Sequence, residues 1–250
     1  VAVTLVWFLT QVGAVLDGDP LDEHVDWMPA FGVDLDWRLD GFSALMVLLV
    51  AGIGAAVFTY ANAYFERSDA RVGRVAALLI LFSGSMLGLV LADNVIVLYG
   101  CWELTSVLSF LMIGYRDEDA RARAAALQAL FVTSAGALVM LVGLLVLGHQ
   151  ADTFRLSEIV ANPPSGTAVQ VAVLCILVGA FAKSAQVPLH TWLPGAMAAP
   201  TPVSTYLHAA TMVKAGVYLI ARLAPAFVGL DWWRPVVVTV AVGTMRPVTC

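Results

Sequence analysis

The sequence predicts an all-α, polytopic membrane bundle of about eight transmembrane segments, and three observations carry that expectation. Of 250 residues, 60% are hydrophobic and only 12% charged, with a mean hydropathy of +0.87. Ordinary soluble domains carry about 45–50% apolar and about 25% charged residues. Apolar runs long enough to approach the roughly 20 residues of a spanning helix recur along the whole chain. The arginines between those runs alternate from one side to the other. The composition argues against a cytosolic enzyme. A net charge of -5, with no basic face, argues against a nucleic-acid partner. Three cysteines are too few for a disulfide framework. No phosphate loop, CxxC pair, HExxH or GxSxG occurs, so no cofactor or metal is expected.

Taken in order, the runs are 1–16, 41–60, 75–92, 94–115, 127–148, 168–187, 203–222 and 235–250. The first and last are short, as if cut. Val1 stands inside an apolar run with no charged segment before it, which fits a valine start or a fragment rather than a signal peptide. Loop 17–40 carries eight acids and a single Arg38, and its stretch Val33–Asp40 alternates apolar and polar, which predicts a short surface strand. Loop 61–74 holds Arg67, Arg71 and Arg74; loop 116–126 holds Arg116, Arg121 and Arg123; loop 149–167 holds Arg155 and a Pro163-Pro164-Ser165-Gly166 turn. Six arginines on one side against two on the other make the arginine-rich loops cytoplasmic and loop 17–40 external. No soluble domain boundary interrupts residues 1–250, which form one transmembrane domain.

The chain has only two lysines, Lys183 and Lys214, both inside apolar runs, and Glu103 is the one acid well inside such a run. A charge at mid-membrane costs about 2.5–3.5 kcal/mol on insertion scales. Lysine and glutamate change protonation on burial where arginine does not, so these residue types suit groups that load and release protons. A buried salt bridge that only pins helices is the plainer reading. Lys183 precedes an uncharged stretch with Pro188, Pro194, Pro200 and Pro202. That pattern predicts a broken helix around Lys183–Pro194 with Lys183 at mid-depth; a helix ending at Pro188, with Lys183 snorkelling to the surface, is the alternative. Ser106, three residues after Glu103, is expected on the same face. In the 203–222 run, Ser204, His208, Thr211, Lys214 and Tyr218 fall within about a 120° arc at 100° per residue, a polar stripe that includes a histidine, a residue type that titrates near neutral pH. His190 is a weaker candidate, and His24 and His149 read as solvated.

The run Lys183-Ser184-Ala185-Gln186-Val187-Pro188-Leu189-His190-Thr191-Trp192-Leu193-Pro194, with Ala196-Met197-Ala198-Ala199-Pro200-Thr201-Pro202-Val203-Ser204 and Leu207-His208-Ala209-Ala210-Thr211-Met212-Val213-Lys214-Ala215-Gly216, resembles the antiporter-like membrane subunits shared by respiratory complex I and Mrp-type cation/proton antiporters. Trp102-Glu103-Leu104-Thr105-Ser106 and Arg38-Leu39-Asp40-Gly41-Phe42-Ser43 fit the same pattern. Within the family, the Ala-Met-Ala-Ala-Pro-Thr-Pro form and Lys214 are most similar to the A-subunit branch of the Mrp sodium/proton antiporters. The resemblance implies a helical bundle of two inverted repeats, of which this chain holds mainly the first. It implies that Glu103 pairs with Lys183 and that His208 and Lys214 continue a proton path; Ser106, Ser204, Thr211 and Tyr218, read from helical spacing, are the expected supporting polar residues. It further implies a secondary-transporter subunit, not an enzyme, in a bacterial cell membrane, with other subunits, protons and sodium or potassium ions as partners. The chain alone is not expected to transport ions: the second repeat is missing and the tail Gly243–Cys250 departs from the family pattern, like a frameshift or a sequence edge. A redox-driven pump subunit of a complex I-like oxidoreductase or membrane-bound hydrogenase, and a structural membrane subunit, are the competing readings.

Overall fold

The computed structural model describes residues 2–28, 33–65, 72–116 and 118–245. Arg67, Arg71 and the tail 246–250 lie outside them. Helix α1 (Ala2–Leu16) leads into an antiparallel hairpin of β1 (Leu21–Met28) and β2 (Val33–Leu39). Then follow α2 (Gly41–Tyr64), α3 (Val72–Leu91), α4 (Val95–Ile113), α5 (Ala120–Ala151), the short α6 (Leu156–Ala161) and α7 (Thr167–Lys183). Two short helices, α8 (Trp192–Ala196) and α9 (Thr201–Ser204), lead into a π-helical stretch, Thr205–Thr211, then α10 (Met212–Phe227) and α11 (Trp233–Met245).

Each predicted run is met by a helix. Five are long and apolar enough to cross a membrane: Gly41–Tyr64, Val72–Leu91, Val95–Ile113, Ala120–Ala151 and the continuous Thr201–Phe227. Three apolar helices are shorter, at Val3–Val15, Thr167–Lys183 and Trp233–Met245. Leu45, Leu81, Phe131, Leu138 and Val142 point out of the bundle, as lipid-facing positions do. The expected strand is β2. Its partner β1 is an addition: Asp22, Glu23, His24 and Asp26 face out together with Val25 and Trp27, so no buried face marks β1 in the sequence.

Polar caps start the long helices. Asp40 and Ser43 form a capping box on α2, Asn94 caps α4 and Asp119 caps α5. At the hairpin end of the bundle, three connections are tied together by backbone hydrogen bonds. The Asp93 N–H donates to the Asp36 carbonyl, the Val95 N–H to Phe154 and the Leu156 N–H to Asp93. The Asp93 carboxylate accepts from the Ser157 amide at 2.9 Å and its hydroxyl at 2.6 Å. Burial raises the Asp93 pKa against the pull of Ser157 and Arg155. His24 is not a free surface group: it bonds Asp36 at 2.6 Å and Asp26 at 2.9 Å, and these contacts raise its pKa. Arg74, Arg116, Arg121 and Arg123 gather at the opposite end, around the start of α3, the end of α4 and the start of α5.

Helix α7 packs on α5 through glycines. A Cβ on Gly136 would lie 2.5 Å from that of Ala182, and one on Gly179 would lie 2.5 Å from that of Met140. Gly216 brings α10 against the Ala180 carbonyl and the Ser184 hydroxyl, and that hydroxyl donates to the Val213 carbonyl at 2.7 Å. Small residues at such crossings let membrane helices approach closely, where dispersion replaces the hydrophobic effect as the driving force.

Asp40 also ion-pairs with Arg222 of α10, joining the start of the first long helix to the end of the last. Burial disfavours its charge, but the Ser43 amide and the Arg222 guanidinium outweigh that and hold its pKa below the usual carboxylate value. The charged form is therefore the one that folding favours, and its stabilisation is present above the unfolded value of about 4 and is lost as pH falls through the folded value. Asp40→Asn keeps the cap and removes the charge. We expect thermal unfolding of the purified full-length subunit to show a loss on the order of 1 kcal/mol at neutral pH, shrinking towards zero as pH falls below about 4.

Candidate functional site

The site begins where α7 stops. The Gln186 N–H donates to the Phe181 carbonyl and the Ala185 N–H to Ala182, the paired bonds of a Schellman turn, with Ala185 at φ 50° where glycine is usual. Pro188 then lacks an N–H to continue a helix. The chain turns through residues 184–191 into α8. At 17 residues, α7 is about 26 Å long, short of the roughly 30 Å hydrocarbon layer. This is the break the prolines predicted, and it places Lys183 in the last turn.

Lys183 does not snorkel. Its side chain is fully buried, and its amine reaches the middle of α4. It donates to the Trp102 carbonyl at 3.0 Å, the Thr105 hydroxyl at 2.7 Å and the Ser106 hydroxyl at 2.7 Å, and lies 5.3 Å from the centroid of the Trp102 ring. A lysine ammonium has three donors, and three neutral acceptors meet them. Trp192 closes the other side of the break, its indole N–H donating to the Ala182 carbonyl at 3.0 Å.

Glu103 is adjacent in sequence to one of these acceptors but is turned away from them. It is half-buried, and its Oε2 accepts from the Ser134 hydroxyl of α5 at 3.0 Å. Its Oε1 is buried and meets no hydrogen-bond partner among the described residues. Among those residues no ion pair joins Glu103 to Lys183; the two interact through space. The expected direct pairing is replaced by a lysine on hydroxyls and a carboxylate on a serine. Ser106, expected beside Glu103, serves Lys183 instead.

His208 lies in the π-helical stretch. It is buried, 5.9 Å from the Trp192 ring centre, and neither ring nitrogen makes a hydrogen bond of good geometry to a described residue. The π turn also corrects the expected polar stripe. The Thr211 hydroxyl and the Met212 N–H bond carbonyls five residues back, at Tyr206 and Leu207, so the chain rotates less per residue here than an α-helix does. Lys214, placed by uniform α-helical spacing in one stripe with His208, is exposed on the outside of α10. Thr211 and Tyr218 are buried and Ser204 is half-buried, each bonded to a backbone carbonyl: Tyr206, Val90 and Ala199 respectively. His190 is half-buried, with Nδ1 unpartnered among the described residues. His149 is exposed in the last turn of α5.

Sequence reasoning gave no role to Thr105, Ser134, Trp192 and Tyr206. Thr105 was visible as the neighbour of Ser106; the others lie far from Glu103 in sequence. Tyr206 donates to the Val50 carbonyl at 3.0 Å and meets Ser83 at 2.8 Å, fixing the π stretch against α2 and α3. The site thus holds a half-buried carboxylate on a serine, a buried amine on neutral acceptors and a buried imidazole beside Trp192.

If the hydroxyl cradle is what makes the buried amine tolerable, Thr105→Val with Ser106→Ala will destabilise the full-length subunit by about 1–3 kcal/mol. Adding Lys183→Met will restore most of that loss, because no buried amine then lacks acceptors. Thermal unfolding of the purified subunit checks both statements.

Comparison with known proteins gives a consistent set of relatives. A family model described as NADH:quinone oxidoreductase/Mrp antiporter, TM, matches residues 92–246. A second, described as NADH-Ubiquinone oxidoreductase (complex I), chain 5 N-terminus, matches residues 27–74. The chain is 45% identical over 241 residues to a protein of Rhizobium meliloti (strain 1021) named as the A/B subunit of a probable K(+)/H(+) antiporter, covering 93% of this chain and 24% of that one. It is 42% identical over 234 residues to the A1 subunit of the Na(+)/H(+) antiporter of Staphylococcus haemolyticus (strain JCSC1435), covering 92% of this chain and 29% of that one. The Mrp complex of Dietzia sp. contains a similar solved chain: TM-score 0.84, 40% identity, 88% of this chain and 24% of that chain. The chain thus spans about a quarter of the length of the curated relatives it matches.

Proposed function

The chain belongs to the NADH:quinone oxidoreductase/Mrp antiporter transmembrane family, and from that premise we propose that it is the proton-conducting part of a multisubunit sodium/proton antiporter in a bacterial cell membrane. One observation carries the proposal: Lys183, a fully buried amine at the break of a membrane helix, is held by neutral acceptors while Glu103 stands apart on the same face region of α4 with its own serine. A structural pin would bring the two charges together, because a close pair offsets the cost of burying each. Here each group keeps its own hydrogen-bond partners, so either can change protonation without breaking an ion pair. Protons pass along Glu103, Lys183 and His208, and Lys214, on the outer face of α10, hands them to the rest of the subunit. Other subunits of the complex complete the path and the cation route.

Relatives named as antiporter subunits favour cation exchange over redox-driven pumping within this family. Sodium is the proposed ion. Potassium is the second reading, favoured by the name of the Rhizobium meliloti relative. The arginine-rich end of the bundle faces the cytoplasm and the hairpin faces outward, as the loop charges require.

The test is sodium-induced collapse of a preformed pH gradient in inverted vesicles, from an antiporter-deficient host carrying the complete subunit with its partners. We expect Glu103→Gln to slow the response at least about a hundredfold, as loss of a positioned proton-transfer group does. Unchanged exchange in a complex shown to assemble would overturn the relay. A response to potassium and not sodium would reassign the ion.

A further inference from the structure

At the hairpin end of the bundle, the two strands gather four titratable side chains. Side chains alternate along a strand, so His24 and Asp26 of β1 share a face, as do Asp34 and Asp36 of β2. His24 is paired with Asp36 across the ladder, and the register shifts between Val25 and Met28. A bulge of this kind re-aims side chains. Here one ligand atom each of His24, Asp26 and Asp34 lies within 4.8 Å of the others. The Trp27 N–H, 3.4 Å from Asp34, orients that carboxylate towards β1. His24, Asp34 and Asp36 line a cleft of about 420 Å³, together with His149 and Asp152 from the end of α5 and with Arg155.

The ring of His24 stands between two carboxylates. Nδ1 lies 2.6 Å from Asp36, whose side chain is only 3% exposed, and Nε2 lies 2.9 Å from Asp26, whose side chain is 79% exposed. A neutral imidazole has one N–H. With that proton on Nδ1, towards the buried Asp36, Nε2 turns a lone pair to the Asp26 carboxylate, with Asp34 beside it. These acceptors attract one another only through a cation among them: a second proton on the ring, or a metal ion. A ring proton serves Asp26 alone, whereas a metal ion serves all three ligand atoms, Asp34 included. A histidine that ligates a metal typically donates its other N–H to a carboxylate, and the Asp36 contact is that arrangement. We propose that Nε2 of His24, with one carboxylate oxygen each of Asp26 and Asp34, binds a divalent metal ion, zinc by its donor set. One imidazole and two carboxylates suit zinc, whereas calcium and magnesium take oxygen ligands. Bonds of about 2.0–2.2 Å put the ligands of a tetrahedral zinc about 3.4 Å apart, which small rotations of these side chains reach. Water takes the fourth position. The ion ties β1 to β2 across the bulge. Asp36 also lies 3.8 Å from Arg155, which links the site to the connections at this end of the bundle.

The complete subunit, purified in its complex and stripped with a chelator, is dialysed against zinc chloride, and bound zinc is counted by elemental mass spectrometry. We expect the unaltered complex to hold one zinc ion more than the complex carrying His24→Gln or Asp34→Asn. Asp36→Asn, which alters the partner of the ring and not a ligand, should weaken binding of that ion about 10–100-fold, and loss of a ligand at least as much. Asp22→Asn, on the same strand but outside the cluster, should leave it unchanged. Equal zinc with and without His24 and Asp34 would overturn the proposal and leave a ring proton as the cation of the site. A loss with Asp22→Asn equal to that with Asp34→Asn would overturn it in favour of diffuse attraction to an acidic surface. Displacement of the zinc by equimolar calcium would overturn the imidazole ligand. Should His24→Gln fail to assemble, because its ring also holds Asp36, Asp26→Asn is read with Asp34→Asn: loss of the ion in both supports the site, and unchanged zinc in both overturns it.

Discussion

A lysine amine inside an apolar bundle must find acceptors, and Lys183 finds all of its own on one turn of α4: the Trp102 carbonyl and the Thr105 and Ser106 hydroxyls. Leaving an ammonium unsolvated in such a place costs several kcal/mol. Each acceptor recovers part of that cost, and the face of the Trp102 ring adds a cation–π contact. The cradle fixes the register of α7 against α4, since a slide or rotation of α7 would pull the amine from its acceptors. It also explains why α7 ends where it does. Further helix beyond Lys183 would fill the space that the turn and Trp192 now occupy. The glycine contacts of α5 and α10 hold the same helix from two other directions, so the position of the amine is determined from three sides.

The spanning helices were legible because lipid replaces water on their outer surface. Almost every position is then apolar, and the runs stand out without any periodic pattern. The break after Lys183 was legible from prolines and the absence of charge. The Ala185 turn was not, since alanine gives no sign that it adopts a left-handed conformation. Strand β1 was missed because both its faces are wet, which removes the alternation by which strands are recognised. Helix α6 was missed because six residues are too few for a helical period. At the site, residue types were enough to single out Glu103, Lys183 and His208. Spacing was not enough to say what they touch. Lys183 and Ser106 are 77 residues apart, and only the packing of both α7 and α4 on α5 brings them together.

The π-helical stretch shows why spacing fails locally. An amphipathic reading assumes one rotation per residue along the whole run. Seven residues that each rotate less than in an α-helix shift everything after them around the helix. Thr211 stabilises the wider turn by bonding a carbonyl five residues back, and Tyr206 anchors it to α2 and α3. The stretch places His208 beside Trp192, while Lys214 lies on the exposed face of α10. π turns occur often at functional sites, because they turn a chosen side chain away from the face its neighbours share.

In the proposed relay, the separation of Glu103 from Lys183 is the useful feature. Two opposite charges in contact within a low dielectric would stabilise each other strongly, and moving a proton would mean breaking that contact. With no ion pair between them among the described residues, the coupling is weaker and each group keeps its own hydrogen-bond partners. A hydroxyl accepts from an ammonium and can turn to donate to a neutral amine, and a serine donates to a carboxylate and can accept from a carboxylic acid. The two hydroxyls around Lys183 and the serine beside Glu103 are therefore of the one chemical type that remains satisfied before and after a proton moves. An arginine or a second carboxylate in those places would bind one state more tightly and hold the proton there.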